Sequence, residues 1–250
     1  MTPGSPSILP YPRISNRVFK ASRDPASKPG HVSAIRLTYY LDVLSSWCFV
    51  VEGALARLRD DLGPRLEYDW RLAYLFGGGP MGYGPEMNAW FYRRTGSITG
   101  VKLNPTWKEL ADETTWFANL ATQAARGLGV PDDRVRLAMS RAAMVDGRHI
   151  GRRDVAVHVA SEASGLPIVD IEREMNDPRA AQALEKSTQE YKALGVKVQP
   201  AFVLTNDIGD TAILSGLYRY ETLAACAAEM LTAADGYAAF GAANPQPKPA

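Results

Sequence analysis

The tetrad Ser45-Ser46-Trp47-Cys48 is the stretch of this chain best suited to chemistry at sulfur. It follows the apolar-rich run Leu37 to Leu44 and precedes an apolar-periodic run from Phe49 to Leu62, so it reads as a turn between a strand and a helix. The turn puts Ser45 and Cys48 at or near the helix start, where unpaired N–H groups carry about half a positive charge. Such a place stabilises a thiolate, whether the thiol is the protein's own or belongs to a bound ligand. Far along the chain, Gly195-Val-Lys-Val-Gln-Pro-Ala-Phe-Val-Leu204 reads as a strand interrupted near its start by Pro200. A proline entering an interior strand removes a ladder donor and is anomalous unless it serves a purpose.

The elements that must position these residues follow from periodicity and breakers. A strand is expected over Ile35–Leu41, a helix from about Trp47 to Leu62 stopped by Gly63-Pro64, and a second strand over Leu66–Leu75. Two strands joined by one such helix make a right-handed parallel βαβ unit. The segment Phe76–Pro85 has seven Gly or Pro in ten residues and reads as a loop, a flexible wall for a pocket. Tyr83, Trp90, Phe91 and Tyr92 follow it as expected core anchors of a short helix. Asn104-Pro105 is expected to open a long helical region, with a capping box at Thr106–Glu109. Further helices are expected after Pro131, with Val135, Leu137, Met139, Ala143 and Met144 as the apolar stripe, then over Arg152–Ser164, Pro167–Met175 and Asp177–Leu194. A strand over Val198–Thr205, its hairpin partner Ala212–Ser215 and a closing helix Arg219–Leu231 complete the reading. Cys226 falls on the apolar side of that last helix and is expected to be buried and inert.

The S-S-W-C tetrad, the Asp42-Val-Leu-Ser45 run and the distant G-V-x-x-x-P-x-F-V-L strand together resemble the DsbA-type branch of the thioredoxin superfamily. The resemblance extends over roughly residues 35 to 233. Within that branch the chain is similar to relatives that carry serine at the first tetrad position, the kappa-class glutathione transferases and 2-hydroxychromene-2-carboxylate isomerases, and to FrnE-like proteins. The resemblance implies an α/β fold of thioredoxin type (βαβ…ββα) with an all-helical insertion. The thioredoxin-like domain then comprises 33–104 and 196–234 and the insertion 105–195, between an N-terminal disordered arm (1–32) and a flexible tail (235–250). It also implies a cis Gln199–Pro200 bond facing the tetrad, Ser45 and Cys48 as the catalytic positions, and Trp47, Gln199, Pro200, Gly216 and Arg219 around a bound glutathione or other low-molecular-weight thiol. After the last strand, kappa-class chains carry G-S-D-R; here Gly216 and Arg219 remain, while Leu217 and Tyr218 replace the pair that holds the γ-glutamyl end.

Composition bounds the partners. A hydrophobic content of 46% with 22% charged residues is that of an ordinary globular protein, and a net charge of +1 gives no reason to expect nucleic acid or an anionic membrane. No apolar run approaches a membrane span, and no basic start leads into an apolar core as in a secretory signal. Two cysteines far apart do not make a disulfide framework, so a reducing cytoplasm is expected. His149 and His158 lack companions at ligand spacing, so no metal site is expected. The expected partner is a small-molecule substrate, and the kappa-like relatives imply a homodimer.

Three functions stay open on this reading. Serine at the first tetrad position rules out a disulfide within the tetrad, because dithiol exchange needs both sulfurs. The first function is therefore a thiol-dependent enzyme that isomerises or conjugates a small electrophile, with the Ser45 hydroxyl donating to the sulfur of the bound thiol. The second is a thiol–disulfide oxidoreductase working through Cys48 alone, which needs an exposed sulfur. The third is a non-catalytic thioredoxin-fold binding module using the groove around Gln199–Pro200.

Overall fold

The computed structural model describes residues 33–80, 83–108, 114–216 and 219–244; the arm expected over 1–32 lies outside them, as do Leu217 and Tyr218. Strand β1 (Ile35–Leu41) begins with a half-buried alternation, Arg36 outward between Ile35 and Leu37, and ends buried on both faces. Both faces are covered because β1 is an inner strand of a four-stranded sheet of order β2-β1-β3-β4. Tyr39 faces the helix that follows it, α1 (Ser46–Leu62), and Tyr40 packs on a helix from the opposite layer.

Helix α1 buries Cys48, Val51, Leu55 and Leu58, a stripe at helical spacing. Each of its aliphatic members contributes about 1.5–3 kcal/mol on burial. The helix stops at Gly63, whose φ of 49° is one that only glycine adopts freely and whose N–H bonds the Arg59 carbonyl. Strand β2 (Leu66–Leu72) then pairs parallel to β1, with Ile35 opposite Leu66. Strand β3 (Ala201–Asn206) returns antiparallel to β1, with Tyr39 opposite Phe202, and β4 (Thr211–Ser215) closes the hairpin. The order β1-α1-β2 followed by β3-β4 and a last helix is the thioredoxin arrangement.

Among the described residues six α-helices lie between β2 and β3: α2 (Pro85–Thr99), α3 (Trp116–Gly127), α4 (Arg134–Met144), α5 (Arg153–Ser164), α6 (Ile168–Asn176) and α7 (Pro178–Ala193). The last helix, α8 (Tyr220–Ala243), packs on α1, β1 and β3. One hydrophobic cluster runs from the sheet through α1 into α3, α4, α5 and α8. Among the described residues, no helix is long and apolar enough to cross a membrane.

Several expectations need correction. Thr106–Lys108 is a 3-10 turn, where the Asn104 side-chain oxygen takes the Thr106 N–H, and the next described helix begins at Trp116; Glu109 of the expected capping box lies outside the described residues. Strand β3 starts at Ala201, because residues 198–200 bend through a cis peptide. Helix α8 continues through 235–243 where a flexible tail was expected; that stretch is rich in alanine and free of proline, so nothing local stops it. In α4 the stripe is not as expected: Leu137 is 37% exposed, whereas Arg136 is only 1% exposed. Tyr92 is a core anchor, but Tyr83 and Trp90 are 44% and 46% exposed, so the aromatic group is half core and half surface. Cys226 is half-buried rather than sealed in.

Candidate active site

The turn between β1 and α1 is built around a buried carboxylate. Asp42 is fully buried; its Oδ1 accepts from Leu44 N at 2.8 Å and its Oδ2 from Leu75 N at 2.7 Å. One side chain therefore shapes the turn and ties it to the end of β2. The insertion grips the next residue: Val43 N donates to Asn119 Oδ1 at 3.3 Å, and Val43 O accepts from Ser140 Oγ at 2.8 Å. These bonds satisfy backbone groups that burial would otherwise leave costly.

Ser45 follows as the N-cap of α1, extended at φ −80°, ψ 117°, with its Oγ accepting from Cys48 N at 3.4 Å. No acidic residue occupies the first turn to neutralise the helix terminus. Ser46 meets α2 through a 3.4 Å contact with Thr95 Oγ1. Trp47 is half-buried in the same first turn.

Cys48 faces inward. It is 2% exposed, and its Sγ donates to Gln199 Oε1 at 3.8 Å. Burial pushes its thiol up to about 12; the Ser45 hydroxyl, the Asp42 backbone and the Tyr39 hydroxyl favour the thiolate but do not overcome that burial. The helix terminus that should lower a thiol's pKa is thus outweighed by loss of water, and Cys48 is a protonated core thiol at neutral pH. This removes the exposure that a Cys48-only exchange reaction requires.

Gln199 and Pro200 lie across from the tetrad, and the peptide bond between them is cis. The Gln199 side chain is buried between the Cys48 sulfur and the Ala73 carbonyl, to which Nε2 donates at 2.6 Å. Its main-chain N–H and C=O have no hydrogen-bond partner among the described residues. Pro200 O accepts from Gly216 N at 2.8 Å, which brings Gly216 beside the cis bond. Gly216 has φ 71°, which favours glycine, and a Cβ there would lie 2.8 Å from Val198 Cγ2, so that side chain would have to move. Ser45, Cys48, Gln199, Pro200 and Gly216 therefore form one connected site. Arg219 is exposed at the N-cap of α8, beyond the undescribed pair 217–218.

Sequence reasoning missed the layer behind α1. Tyr39 OH lies 3.1 Å from Cys48 O and 3.3 Å from Glu52 Oε1. Arg136 donates to Glu52 at 2.5 Å, to Asp133 at 2.8 Å and to Tyr68 OH at 3.0 Å. Asp133 also pairs with Arg59. Burial raises Glu52 above the ordinary carboxylate range despite Arg136, and raises Tyr39 and Tyr68 as well. The available signal was an arginine and a glutamate on otherwise apolar helix faces, Glu52 one turn after Cys48. Among the described residues, no group of three or more His, Cys, Asp or Glu is placed to hold a metal.

The sheet order, the cap at Ser45 and the cis bond opposite it define a thioredoxin-fold protein with a serine-first tetrad. Residues 36–226 match the DSBA-like thioredoxin domain, and the chain belongs to that family. No curated protein matches the sequence. Among solved structures it is similar to a protein from Nitrosomonas europaea, at 17% identity and a TM-score of 0.65, covering 82% of this chain and 98% of that one. It is similar to the cytosolic disulfide reductase DsbM from Pseudomonas aeruginosa with GSH, at 17% identity and a TM-score of 0.62, covering 79% and 99%. It is also similar to Pseudomonas aeruginosa DsbA, at 14% identity and a TM-score of 0.51, covering 87% and 91%.

Proposed function

We propose that this DsbA-like protein binds a low-molecular-weight thiol of the glutathione type between Ser45 and the Gln199–Pro200 bond, for isomerisation or conjugation of a small electrophile. The observation that carries the reading is the Ser45 hydroxyl capping the N-terminus of α1, joined through Cys48 to Gln199 at a cis-proline strand start whose Gln199 backbone is unpaired among the described residues. Those groups fit the ligand class. A hydroxyl can donate to sulfur, a helix N-terminus favours the anion by about 0.3–1 kcal/mol, and a free N–H and C=O can pair with a peptide-like ligand as one strand pairs with another. When bound, such a thiol supplies the nucleophile. Ser45 orients the sulfur and shares its charge, Gln199 aligns the chain of the ligand, and Cys48 remains a neutral wall.

The relative solved with GSH, DsbM, supports the ligand class at the level of the fold. The half-exposed rings of Phe76, Tyr83 and Trp90 offer an apolar surface on the α2 side for an electrophile. A reducing cytoplasm suits two free cysteines and a reduced thiol ligand.

Isothermal titration with glutathione and related thiols tests the proposal, together with ultraviolet absorbance of the bound thiolate. The wild type is expected to bind and to ionise the thiol, and Ser45→Ala to lose the thiolate signal. Absence of binding by every thiol tried, with Ser45→Ala indistinguishable from wild type, ends it.

A further inference from the structure

We propose that Tyr191 is a second hydroxyl of the thiol site, a ligand-binding residue that donates its phenolic proton to an acceptor oxygen of the bound thiol beside its sulfur. The inference rests on the thiol-binding reading above and names a residue that neither the tetrad nor the cis-proline motif contains.

Helix α7 lies along the end of β2, where Ser187 Oγ donates to Leu72 O at 2.5 Å and Thr188 Oγ1 accepts from Tyr74 N at 3.3 Å. The next turn of α7 delivers Tyr191 to the end of the sheet that carries the tetrad. Its ring packs at 6.2 Å from that of Tyr40, in a small cluster with Ala73 and Ala201. Both alanines belong to the site. Ala73 O holds the Gln199 side chain, and Ala201 follows the cis-proline. Gln199 in turn faces the Cys48 sulfur. Tyr191 is thus one contact away from the groups that meet Ser45.

The hydroxyl itself is the decisive feature. Among the described residues four tyrosines are buried: Tyr39, Tyr40, Tyr92 and Tyr191. Buried tyrosine hydroxyls ordinarily find a partner. Tyr39 has the Cys48 carbonyl and Tyr92 has the Met144 sulfur, while Tyr40 lies beside the charges of Arg71 and Glu190. The Tyr191 hydroxyl has none among the described residues; the residue is 9% exposed, but its oxygen reaches solvent, where a ligand can meet it. Burial, with the nearby Cys48 adding to it, keeps the phenol protonated, so it is a donor and not a base. A donor with no protein acceptor, beside a strand start with an unpaired backbone, matches a ligand that carries carbonyl or carboxylate oxygens near its thiol, as a cysteinyl peptide does.

The test compares Tyr191→Phe with wild type by glutathione titration, thermal melting of the free protein and absorbance of the bound thiolate at saturation. The expected result is an affinity loss of about three- to tenfold, the worth of one hydrogen bond. The melting temperature of the free protein stays unchanged, because no internal bond is lost, and the thiolate signal stays intact, because Ser45 still meets the sulfur. Unchanged affinity in Tyr191→Phe overturns the inference while leaving the thiol-binding reading in place. A lowered melting temperature reveals an internal partner and overturns it too. If wild type binds no glutathione, both fall together.

Discussion

Two groups of polar side chains meet α1, and their hydrogen bonds are met in opposite ways. Behind the helix, Tyr39, Glu52, Asp133, Arg136 and Tyr68 bond one another, with the Arg136 guanidinium shared among three partners. In front, the Tyr191 hydroxyl and the Gln199 main chain have no partner among the described residues, although both lie in buried residues. The rear group joins the insertion to the thioredoxin sheet, and every charge in it has a counter-charge. The front group keeps hydrogen-bonding capacity that is open to water or to a ligand. A buried polar group whose bonds are complete supports the fold; one whose bonds are open supports a ligand.

The largest expected effect comes from breaking the rear group. Arg136→Met strands the Glu52 carboxylate in the interior, and removing one member of a buried pair typically costs about 3–5 kcal/mol. Urea denaturation should show that loss as a lower midpoint; a change within error would mean the pair is not the tie that its geometry suggests. A gentler contrast uses the two tyrosines. Tyr39→Phe removes a hydroxyl that bonds the Cys48 carbonyl and Glu52, and should cost about 1–2 kcal/mol in the same assay. Tyr191→Phe should cost nothing measurable. Equal losses would erase the distinction between the two regions.

A further contrast concerns Cys48, which bonds Gln199 in front and accepts from Tyr39 behind. Its thiol is expected to resist iodoacetamide near pH 8 in the native protein and to react once urea unfolds the chain, as read by mass spectrometry of the Cys48 peptide. Native labelling at the rate of a free thiol would overturn its place in the core. The same proton contributes to stability. The folded pKa is raised from about 9 to about 12, so the thiol's contribution is present below pH 9 and is lost as pH rises toward 12. Cys48→Ala should flatten that alkaline decline.

Much of the scaffold was legible from neighbouring residues alone. The Cys48–Val51–Leu55–Leu58 spacing, the Gly63-Pro64 stop and the serine before the helix each encode a local preference, and the parallel βαβ unit follows from their order. Boundaries were less legible where a local turn competed with helix, as at Asn104, or where nothing stopped one, as after Asp235. The helix over Asp177–Leu194 was legible too, but not that Leu184, Thr188 and Tyr191 would be its inward stripe. Nor was what that stripe would meet.

Capping, turn chemistry and periodicity act between residues a few positions apart, so this chain's sequence by itself determined where α1 begins and that Ser45 caps it. Desolvation and pairing depend on what covers a group. Arg136 is buried because Glu52, 84 residues away, and Asp133 meet it there. The Cys48 thiol is held protonated because Gln199, 151 residues away, and the core close over it, reversing what its helix-terminal position alone would favour. The free hydroxyl of Tyr191 exists only because α7 docks at the end of β2 and brings no acceptor with it among the described residues. The tertiary structure decided these three, since burial is a property of the packed molecule and not of any segment.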